Sequence, residues 1–445
     1  MESSSSVTGT AAPAAARKGP NGLVGLARFG ANPLRFLDAL RGDERDIVPF
    51  KLGTLRCHLV AAPHLVRAVL ESKEWPPLSR GRLSSLARWY SGGLILTEGT
   101  WHGFQRRTLW QPVVGQPSIM DVTGLRAARC AGSWEDGATI DAFEELRTLV
   151  RTIDWQILTG DDLDARPDLL RAHERGISAL AWLLGPFGDS RWGWPLPSSA
   201  RARSARAVID TEINRLIDER RGNPKSFGDL LAWFVDRLDT DVAEGDELIC
   251  ATVKQWLGAD QLHSALTWAL HLVATHPQVE ARWHAELDLA LGGRIPSPRD
   301  ADLLPYPRHV LLEAMRLYPP IWGFFRQLTG EWRLGDTTLG AGDVIALSPW
   351  FTHRDERLWP DPLRFDPDRW RDGAAQPPPI SYFPYSAGPY GCPAHELSPR
   401  QGVLVLATLG RSWSFKPADE REPTPLATGV IEPKGGLRMT LARRN

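Results

Sequence analysis

The sequence predicts a mainly α-helical protein with a small β portion. Apolar residues recur at three- and four-residue steps through most of residues 63–315, which is the period of an amphipathic helix. Short runs in which apolar and polar residues alternate, bounded by Gly and Pro, lie on both sides of that region and are typical of strands. Residues 22–445 contain no Gly/Ser linker, charge block or repeat, so we expect them to form a single domain.

The short β portion is expected near the two ends of this domain. Alternating runs at 48–52 and 57–60 predict strands near a sheet edge, and similar runs at 331–334 and 344–347 predict small hairpins. Residues 1–21 are rich in Ser and Ala and are expected to be a disordered tail.

Two helices carry the clearest signal. One is predicted over residues 246–275, where His276-Pro277 ends the pattern, and at about thirty residues it is long enough to cross a whole domain. The other is predicted to end at Leu317, before Pro319-Pro320.

Composition excludes several classes of protein. The 52 Lys and Arg residues against 53 Asp and Glu residues leave a net charge of −1, so neither nucleic acid nor an anionic membrane is an expected partner. No apolar stretch approaches the ~18 residues of a membrane span, so no membrane anchor is expected. The four cysteines form no Cys-x-x-Cys pair, which argues against a disulfide framework or structural zinc and favours a reducing compartment, the cytoplasm.

One cysteine lies in an unusual setting. Cys392 ends a loop rich in Gly and Pro, and Pro393 occupies the first position of a predicted helix. Backbone N–H groups and the helix dipole at such a position favour a thiolate. From these residues alone, Cys392 is a buried packing residue, a reactive thiol or a haem ligand.

Other motifs, in a fixed order, accompany this cysteine. Glu313 and Arg316 are three residues apart and share a helix face, and Arg369 follows downstream. This order of Glu-x-x-Arg, a later Arg and Gly-x-x-x-Cys before the last helix resembles the cytochrome P-450 family, most closely its soluble bacterial, actinobacterial type. The resemblance implies a triangular prism with a long central helix over haem b, and Cys392 as the axial ligand of its iron.

The same resemblance assigns further residues to the cofactor. His102, Arg106 and Arg326 match the positions that hold the haem propionates, and Arg provides bidentate donors for a carboxylate. Tyr390 stands where the family has Arg or His and is expected to donate one hydrogen bond to a propionate. Tyr385 stands where the family has Phe. Glu313, Arg316 and Arg369 are expected to be structural and to fix the Cys392 loop.

The central helix departs from the family pattern. Gly258 and Asp260 match it, but Gln261 replaces the Thr that helps to deliver protons during oxygen activation. An amide forms hydrogen bonds but does not relay a proton as a hydroxyl does. We predict Asp260, Gln261 and Ser264 as the catalytic residues, with Ser264 as the preferred substitute for the missing hydroxyl. Thr267, His263 or a hydroxyl of the substrate are the alternatives.

The resemblance also places a substrate pocket over the iron, lined by apolar and aromatic residues that favour a rigid hydrophobic substrate. Its predicted lining is Trp89, Leu94, Ala259, Leu262, His263, Trp322 and Phe324.

The expected function is therefore that of a haem-thiolate monooxygenase acting on a terpenoid, a polyketide or a similar specialised metabolite. Electrons are expected from NAD(P)H through a separate reductase and a soluble ferredoxin. Two alternatives remain open. The loss of the Thr favours coupling, desaturation, rearrangement or peroxide-driven oxidation on the same scaffold, or else a haem-binding protein without enzymatic activity.

Overall fold

The computed structural model describes residues 22–72, 78–79, 90, 92–183, 197–222, 227–238, 242–258, 261–375 and 377–444. The protein is mostly helical (57%) with a small β portion, so the predicted fold class is confirmed. The predicted tail, residues 1–21, lies outside the described residues.

Helices of the N-terminal half pack around the later central ones, and most begin with Pro at the first or second position. They are α1 (Gly22–Ala31), α2 (Pro33–Asp38), α3 (Pro63–Leu70), α4 (Gly99–Gln105), α5 (Gln111–Val114), α6 (Pro117–Ser133), α7 (Ala142–Thr159), α8 (Pro167–Leu183) and α9 (Pro197–Gly222). A π-helical turn, Arg106–Trp110, joins α4 to α5.

The C-terminal half supplies the central helices and those that flank the Cys392 loop. They are α10 (Leu230–Arg237), α11 (Val242–Leu257), α12 (Leu262–Ala274), α13 (Pro277–Leu291), α14 (Pro305–Leu317), α15 (Pro349–Thr352) and α16 (Leu397–Ser412). The helix expected to end at Leu317 does so, as α14.

The largest sheet has the order β1-β2-β8-β5-β3 and uses strands from both ends of the chain. These strands are β1 (Ile47–Leu52), β2 (Leu55–Val60), β3 (Leu78–Ser79), β5 (Phe324–Leu328) and β8 (Val344–Leu347). The smaller sheets contain β4 (Thr139–Asp141), β6 (Trp332–Leu334), β7 (Thr337–Leu339), β9 (Trp413–Pro417), β10 (Pro425–Ala427), β11 (Ile431–Pro433) and β12 (Arg438–Arg443).

The strand predictions are confirmed in place but only partly in pairing. β6 and β7 form the expected hairpin. β8 does not form a hairpin: it pairs in parallel with β2 and antiparallel with β5, so the prediction of a small hairpin at 344–347 is wrong. Alternation within a strand reports which face is buried, but the partner of that strand is fixed by remote residues.

The helix predicted over residues 246–275 is two helices. α11 ends at Leu257, α12 begins at Leu262, and Gly258 and Gln261 lie in turns between them. At Gly258 an added Cβ would lie 2.1 Å from the hydroxyl oxygen of Tyr90, so only glycine allows this approach. The prediction of a single helix is therefore wrong at this junction, because apolar periodicity continues across it.

A buried carboxylate organises the region around α14. Glu313 and Arg316 are both fully buried, and their side chains form a bidentate pair with N–O distances of 2.9 and 2.8 Å. Glu313 also accepts hydrogen bonds from Arg369 Nε (3.2 Å), Trp370 Nε1 (2.9 Å) and the backbone N–H of Asp366 (3.1 Å). The segment from Asp366 to Trp370 is thereby fixed against α14.

The other donors of Arg316 extend this network toward the cysteine loop. Its Nη1 donates to the carbonyl oxygens of His353 (2.8 Å) and Pro362 (2.7 Å). The His353 ring is fully buried, and its Nε2 accepts the backbone N–H of Phe383 at 2.9 Å. Burial lowers the pKa of His353 well below its ordinary value, which keeps the ring neutral and able to accept this bond. His353 thus links the Glu313–Arg316 pair to the segment that leads to Cys392.

We predict that Glu313→Gln lowers the free energy of unfolding by about 3–5 kcal/mol, because it leaves the buried guanidinium of Arg316 without its counter-charge. The matched control is Glu219→Gln, since Glu219 pairs with Arg215 at 3.1 Å on the exposed face of α9. That pair should be worth only about 0–1 kcal/mol. Calorimetric melting temperatures of the two variants test the prediction, and equal melting temperatures would contradict it.

Candidate functional site

The loop before Cys392 is held by its own backbone and by close packing against α3. The N–H of Cys392 donates to the carbonyl of Tyr385 (2.8 Å), and the N–H of Gly391 donates to the carbonyl of Gly388 (3.0 Å). Gly388 has a φ of +68°, and a Cβ there would lie 2.1 Å from the carbonyl oxygen of Leu70. Both its backbone conformation and this approach to α3 require glycine.

The electrostatic surroundings of the Cys392 sulfur are mixed. Burial raises the pKa of the thiol, whereas the backbone N–H of Ala394 and the guanidinium of Arg106 act in the opposite direction. Both stabilise negative charge on sulfur. The site therefore excludes water from the sulfur while providing donors for a thiolate that binds a metal.

The substitution of Tyr for Phe at position 385 is accommodated inside the protein. The Tyr385 hydroxyl donates to Ser398 Oγ at 3.2 Å and lies 3.4 Å from Met315 Sδ. The extra oxygen is thereby paired with α16 below the loop, so this position keeps its packing role.

His102 and Tyr390 connect α4 to the cysteine loop. The buried His102 ring lies between two carbonyl oxygens, with Nδ1 3.1 Å from that of Leu94 and Nε2 3.2 Å from that of Pro389. The ring also packs on Tyr390, with 4.3 Å between centroids. The Tyr390 hydroxyl accepts the N–H of Gly99 at 3.0 Å, so its oxygen faces the start of α4.

Two partly buried arginines lie beside this contact. Arg106 Nη1 donates to the carbonyl of Gly391, and Arg326 Nη1 donates to the carbonyl of Phe325 at 2.8 Å. Burial lowers the pKa of both guanidinium groups, and the charge of Glu98 partly offsets this for Arg326. Within the described part of the chain, no carboxylate forms an ion pair with either arginine.

Partly buried cations without a bound anion fit a ligand that brings carboxylates of its own. A haem carries two propionates and an iron, and a cysteine thiolate is one of the established ligands of that iron. The residues present therefore fit this group: Cys392 would hold the iron, and Arg106 and Arg326 would hold the propionates. Both ring nitrogens of His102 already face backbone carbonyls, so the assignment of His102 to a propionate stays a prediction.

The structure gives Ser264 a role other than the predicted one. Its fully buried hydroxyl donates to the carbonyl of Ile431 at 2.5 Å, and Trp268 Nε1 donates to the same oxygen at 3.0 Å. Because its proton is committed to a backbone acceptor, Ser264 anchors α12 to β11, and its assignment as the substitute hydroxyl is corrected. Thr267 is committed in the same way, to the carbonyl of His263 at 2.7 Å.

Several predicted pocket residues lie in the core. Leu262 reaches toward Gly402 of α16, where an added Cβ would lie 3.2 Å from its methyl carbon. The buried His263 ring packs edge-on against Phe143, with 5.2 Å between ring centroids. Both side chains therefore pack against neighbouring helices, and their assignment to the pocket stays a prediction.

The other predicted lining residues are divided between the site and its surroundings. Leu94 is buried and forms the acceptor for His102. Phe324 packs near Phe383 at the start of the cysteine loop, with ring centroids 6.4 Å apart. Trp322 instead joins an aromatic cluster with Phe29 and Phe325, away from that contact. Three further predicted residues lie outside the described residues: Trp89, Ala259 and Asp260.

Sequence reasoning missed two buried amides near the break between α11 and α12. Gln105 of α4 is fully buried, and Gln255 of α11 is 9% exposed. A polar residue among apolar neighbours in a helix is the pattern that could have identified both amides. For Gln105, the adjacent Arg106 is a second indication.

None of the helices in the described ranges is both long enough and apolar enough to cross a membrane.

Comparisons with known proteins agree with this geometry. The family model described as cytochrome P450 matches residues 21–440. A cyclooctat-9-en-7-ol 5-monooxygenase from Streptomyces melanosporofaciens is 33% identical over 399 residues, which cover 86% of this chain and 85% of the relative. A pentalenene oxygenase from Streptomyces avermitilis is 28% identical over 425 residues, which cover 93% of each chain.

Solved structures show the same fold at low sequence identity. The haem domain of cytochrome P450DA superposes with a TM-score of 0.85 at 20% identity and covers 96% of each chain. The retinoic acid bound cyanobacterial CYP120A1 gives a TM-score of 0.80 at 20% identity, with 92% of this chain and 94% of that chain covered. With a family model that spans nearly the whole sequence and a relative at 33% identity, this chain belongs to the cytochrome P450 family and is a cytochrome P450 monooxygenase.

Proposed function

We propose that this monooxygenase inserts oxygen from dioxygen into a C–H bond of a terpenoid. The observation that carries the proposal is the Cys392 thiol near the partly buried Arg106, with Arg326 beside the same loop and neither arginine in an ion pair within the described residues. Together these residues suit a haem-thiolate centre. The terpenoid class is supported by the names of two relatives, which are oxygenases of cyclooctat-9-en-7-ol and of pentalenene. Oxygen-18 from dioxygen should appear in the product, and a product without label would favour desaturation or coupling instead.

The residues of this chain bind, orient and shield the cofactor. Haem with an axial thiolate supplies the activation of dioxygen when it is bound. Cys392 provides the thiolate, and the N–H of Ala394 stabilises its charge. Arg106 and Arg326 would orient the propionates, and the ring of His102 links α4 to the loop at that edge.

Proton delivery is the step in which this chain differs from the family pattern. Gln261 begins the first turn of α12 and its side chain caps no backbone N–H there. Its amide can hold a water molecule but cannot itself pass a proton along. We therefore assign Gln261 the role of positioning water at the break between the two central helices, with the proton moving through that water.

Electrons are proposed to come from a reductase and a soluble ferredoxin in the cytoplasm. The exposed side of α4 supports this, because Trp101 and Phe104 stack there with 5.1 Å between centroids and Arg107 lies exposed beside them. An exposed aromatic pair next to a cation suits an acidic partner protein, and α4 also carries His102 beside the cysteine loop.

We predict that Cys392→Ser abolishes the thiolate band of the reduced carbonyl complex, because a hydroxyl is a far weaker donor than a thiolate. The measurement is the difference spectrum of the purified variant, with bound haem quantified separately. Cys57→Ser is the control, since Cys57 is buried in another part of the core. A thiolate band that persists in Cys392→Ser would overturn the assignment of the ligand.

We predict that Gln261→Thr raises the fraction of NADPH electrons recovered in product, because a hydroxyl relays protons directly. Ser264→Ala should leave this coupling unchanged and lower the melting temperature, since Ser264 only anchors β11. Both quantities can be measured on the same preparations. A fall in coupling in Gln261→Thr would contradict this prediction and show that water held by the amide relays protons better than a Thr hydroxyl does.

We predict that Arg107→Glu raises the KM for ferredoxin about tenfold at low salt, and that the effect shrinks as salt is added. Arg438→Glu is the control because Arg438 is also exposed but lies on β12, in the sheet formed by β4, β12 and β9, and not next to α4 in the chain. An equal KM for the two variants would place the ferredoxin on another face.

A further inference from the structure

Two buried amide side chains approach one short segment of the chain. Gln105 Nε2 donates to the carbonyl of Gly92 at 3.2 Å, which holds its amide against this segment. Gln255 reaches the next residue, because a Cβ added to Gly93 would lie 2.4 Å from Gln255 Oε1. The two side chains come from α4 and α11, so the Gly92-Gly93 peptide joins them at a single place.

Neither oxygen has a hydrogen-bond partner in the described part of the structure. Gln105 Oε1 and Gln255 Oε1 are both buried and accept no hydrogen bond from the described residues. The Gln105 residue is fully buried, and the Gln255 residue is 91% buried. A buried acceptor without a donor destabilises the protein, so such groups are usually paired with protein or ligand. Two unpaired acceptors on side chains that approach the same segment therefore indicate a ligand that brings its own hydrogen-bond donor.

The position of this pair connects it to the site. Gln105 directly precedes Arg106, which acts on the charge of Cys392, and Gln255 is three residues before Gly258 at the break between α11 and α12. Buried apolar residues stand close to the two amides in the sequence, among them Leu109 and Trp110 after Gln105 and Trp256 and Leu257 after Gln255. The buried Lys254, which pairs with Asp210, also adjoins Gln255. The pair is thus a small polar site within an apolar region between two elements assigned to haem binding and proton delivery.

We propose that the substrate is a terpenoid alcohol whose hydroxyl donates to Gln255 Oε1, with the amide of Gln105 at the same Gly92-Gly93 segment, so that this site selects an already oxygenated skeleton. This inference rests on the proposed function and names the substrate class more closely. An apolar skeleton matches the surrounding side chains, and one hydroxyl supplies the donor that the amides lack. The relative whose name specifies cyclooctat-9-en-7-ol acts on such an alcohol.

This assignment also fixes the place of the enzyme in a reaction sequence. The preceding reaction must leave a hydroxyl on the terpenoid skeleton. A cyclase that ends its carbocation cascade by adding water does this, and so does an earlier hydroxylase. The product would then carry at least two oxygen atoms, one selected by the amides and one inserted by this enzyme.

The test compares matched ligands on the haem-loaded enzyme. The probes are cyclooctat-9-en-7-ol and its 7-O-methyl ether, together with borneol and bornyl methyl ether. Dissociation constants are measured from the absorbance change on binding. The alcohols should bind about tenfold more tightly than their ethers, because methylation removes the only donor.

The variants separate hydrogen bonding from size. Gln255→Met retains the side-chain volume and should abolish the preference for alcohol over ether. Gln255→Glu retains an acceptor and should keep the preference, which serves as the second measurement if the Met variant does not fold. Gln401→Met is the matched control, since Gln401 is also buried but donates to Thr123 Oγ1 at 3.1 Å, and it should bind like the unmodified protein.

Three results would overturn the inference. They are equal affinity for alcohols and ethers in the unmodified protein, a preference that survives Gln255→Met, and failure of all four probes to bind. In each case an intact thiolate carbonyl band would show that the proposed haem-thiolate function still stands. Loss of that band in the unmodified protein would instead contradict the proposed function itself.

Discussion

The site depends on the buried pair formed by Glu313 and Arg316. A carboxylate at zero exposure is stable only when all its acceptor positions are filled, and here five donors approach it. The guanidinium continues the network to the carbonyl of His353, whose ring accepts the N–H of Phe383. A charge on α14 is thereby connected through two residues to the segment that carries Cys392, which is why that loop has a defined shape.

The arginines near Cys392 differ from Arg316 in that they form no ion pair within the described structure. Arg316 has its counter-ion within the protein, whereas Arg106 and Arg326 donate only to backbone carbonyls in the described structure. Burial opposes their charge, so each is more stable when an anion arrives. Arg316 thus has a bidentate carboxylate partner, whereas Arg106 and Arg326 form no ion pair within the described residues, although the charge of Glu98 acts on Arg326. We propose that the carboxylates of the cofactor pair with these two arginines.

Local spacing made part of this arrangement predictable from the sequence. Glu313 and Arg316 are three residues apart on a helix, so their pairing follows from helical geometry, and the glycines around Cys392 indicated a tight loop. The break at Gly258 was not predictable, because Tyr90, whose hydroxyl takes the space, is far away in sequence. The contacts of Leu262 with Gly402 and of His263 with Phe143 were not predictable either, because these partners are also remote in sequence.

The three departures from the family pattern have different consequences. The hydroxyls of Tyr385 and Tyr390 each find a partner within the site, on Ser398 and on the N–H of Gly99. These two substitutions are therefore absorbed locally and leave the cysteine loop in place. Gln261 is different, because its amide caps no backbone N–H of α12 and stands at the break where the central helices separate. What is unusual in the chemistry of this enzyme is thus expected at that break, where we propose that Gln261 positions a water molecule.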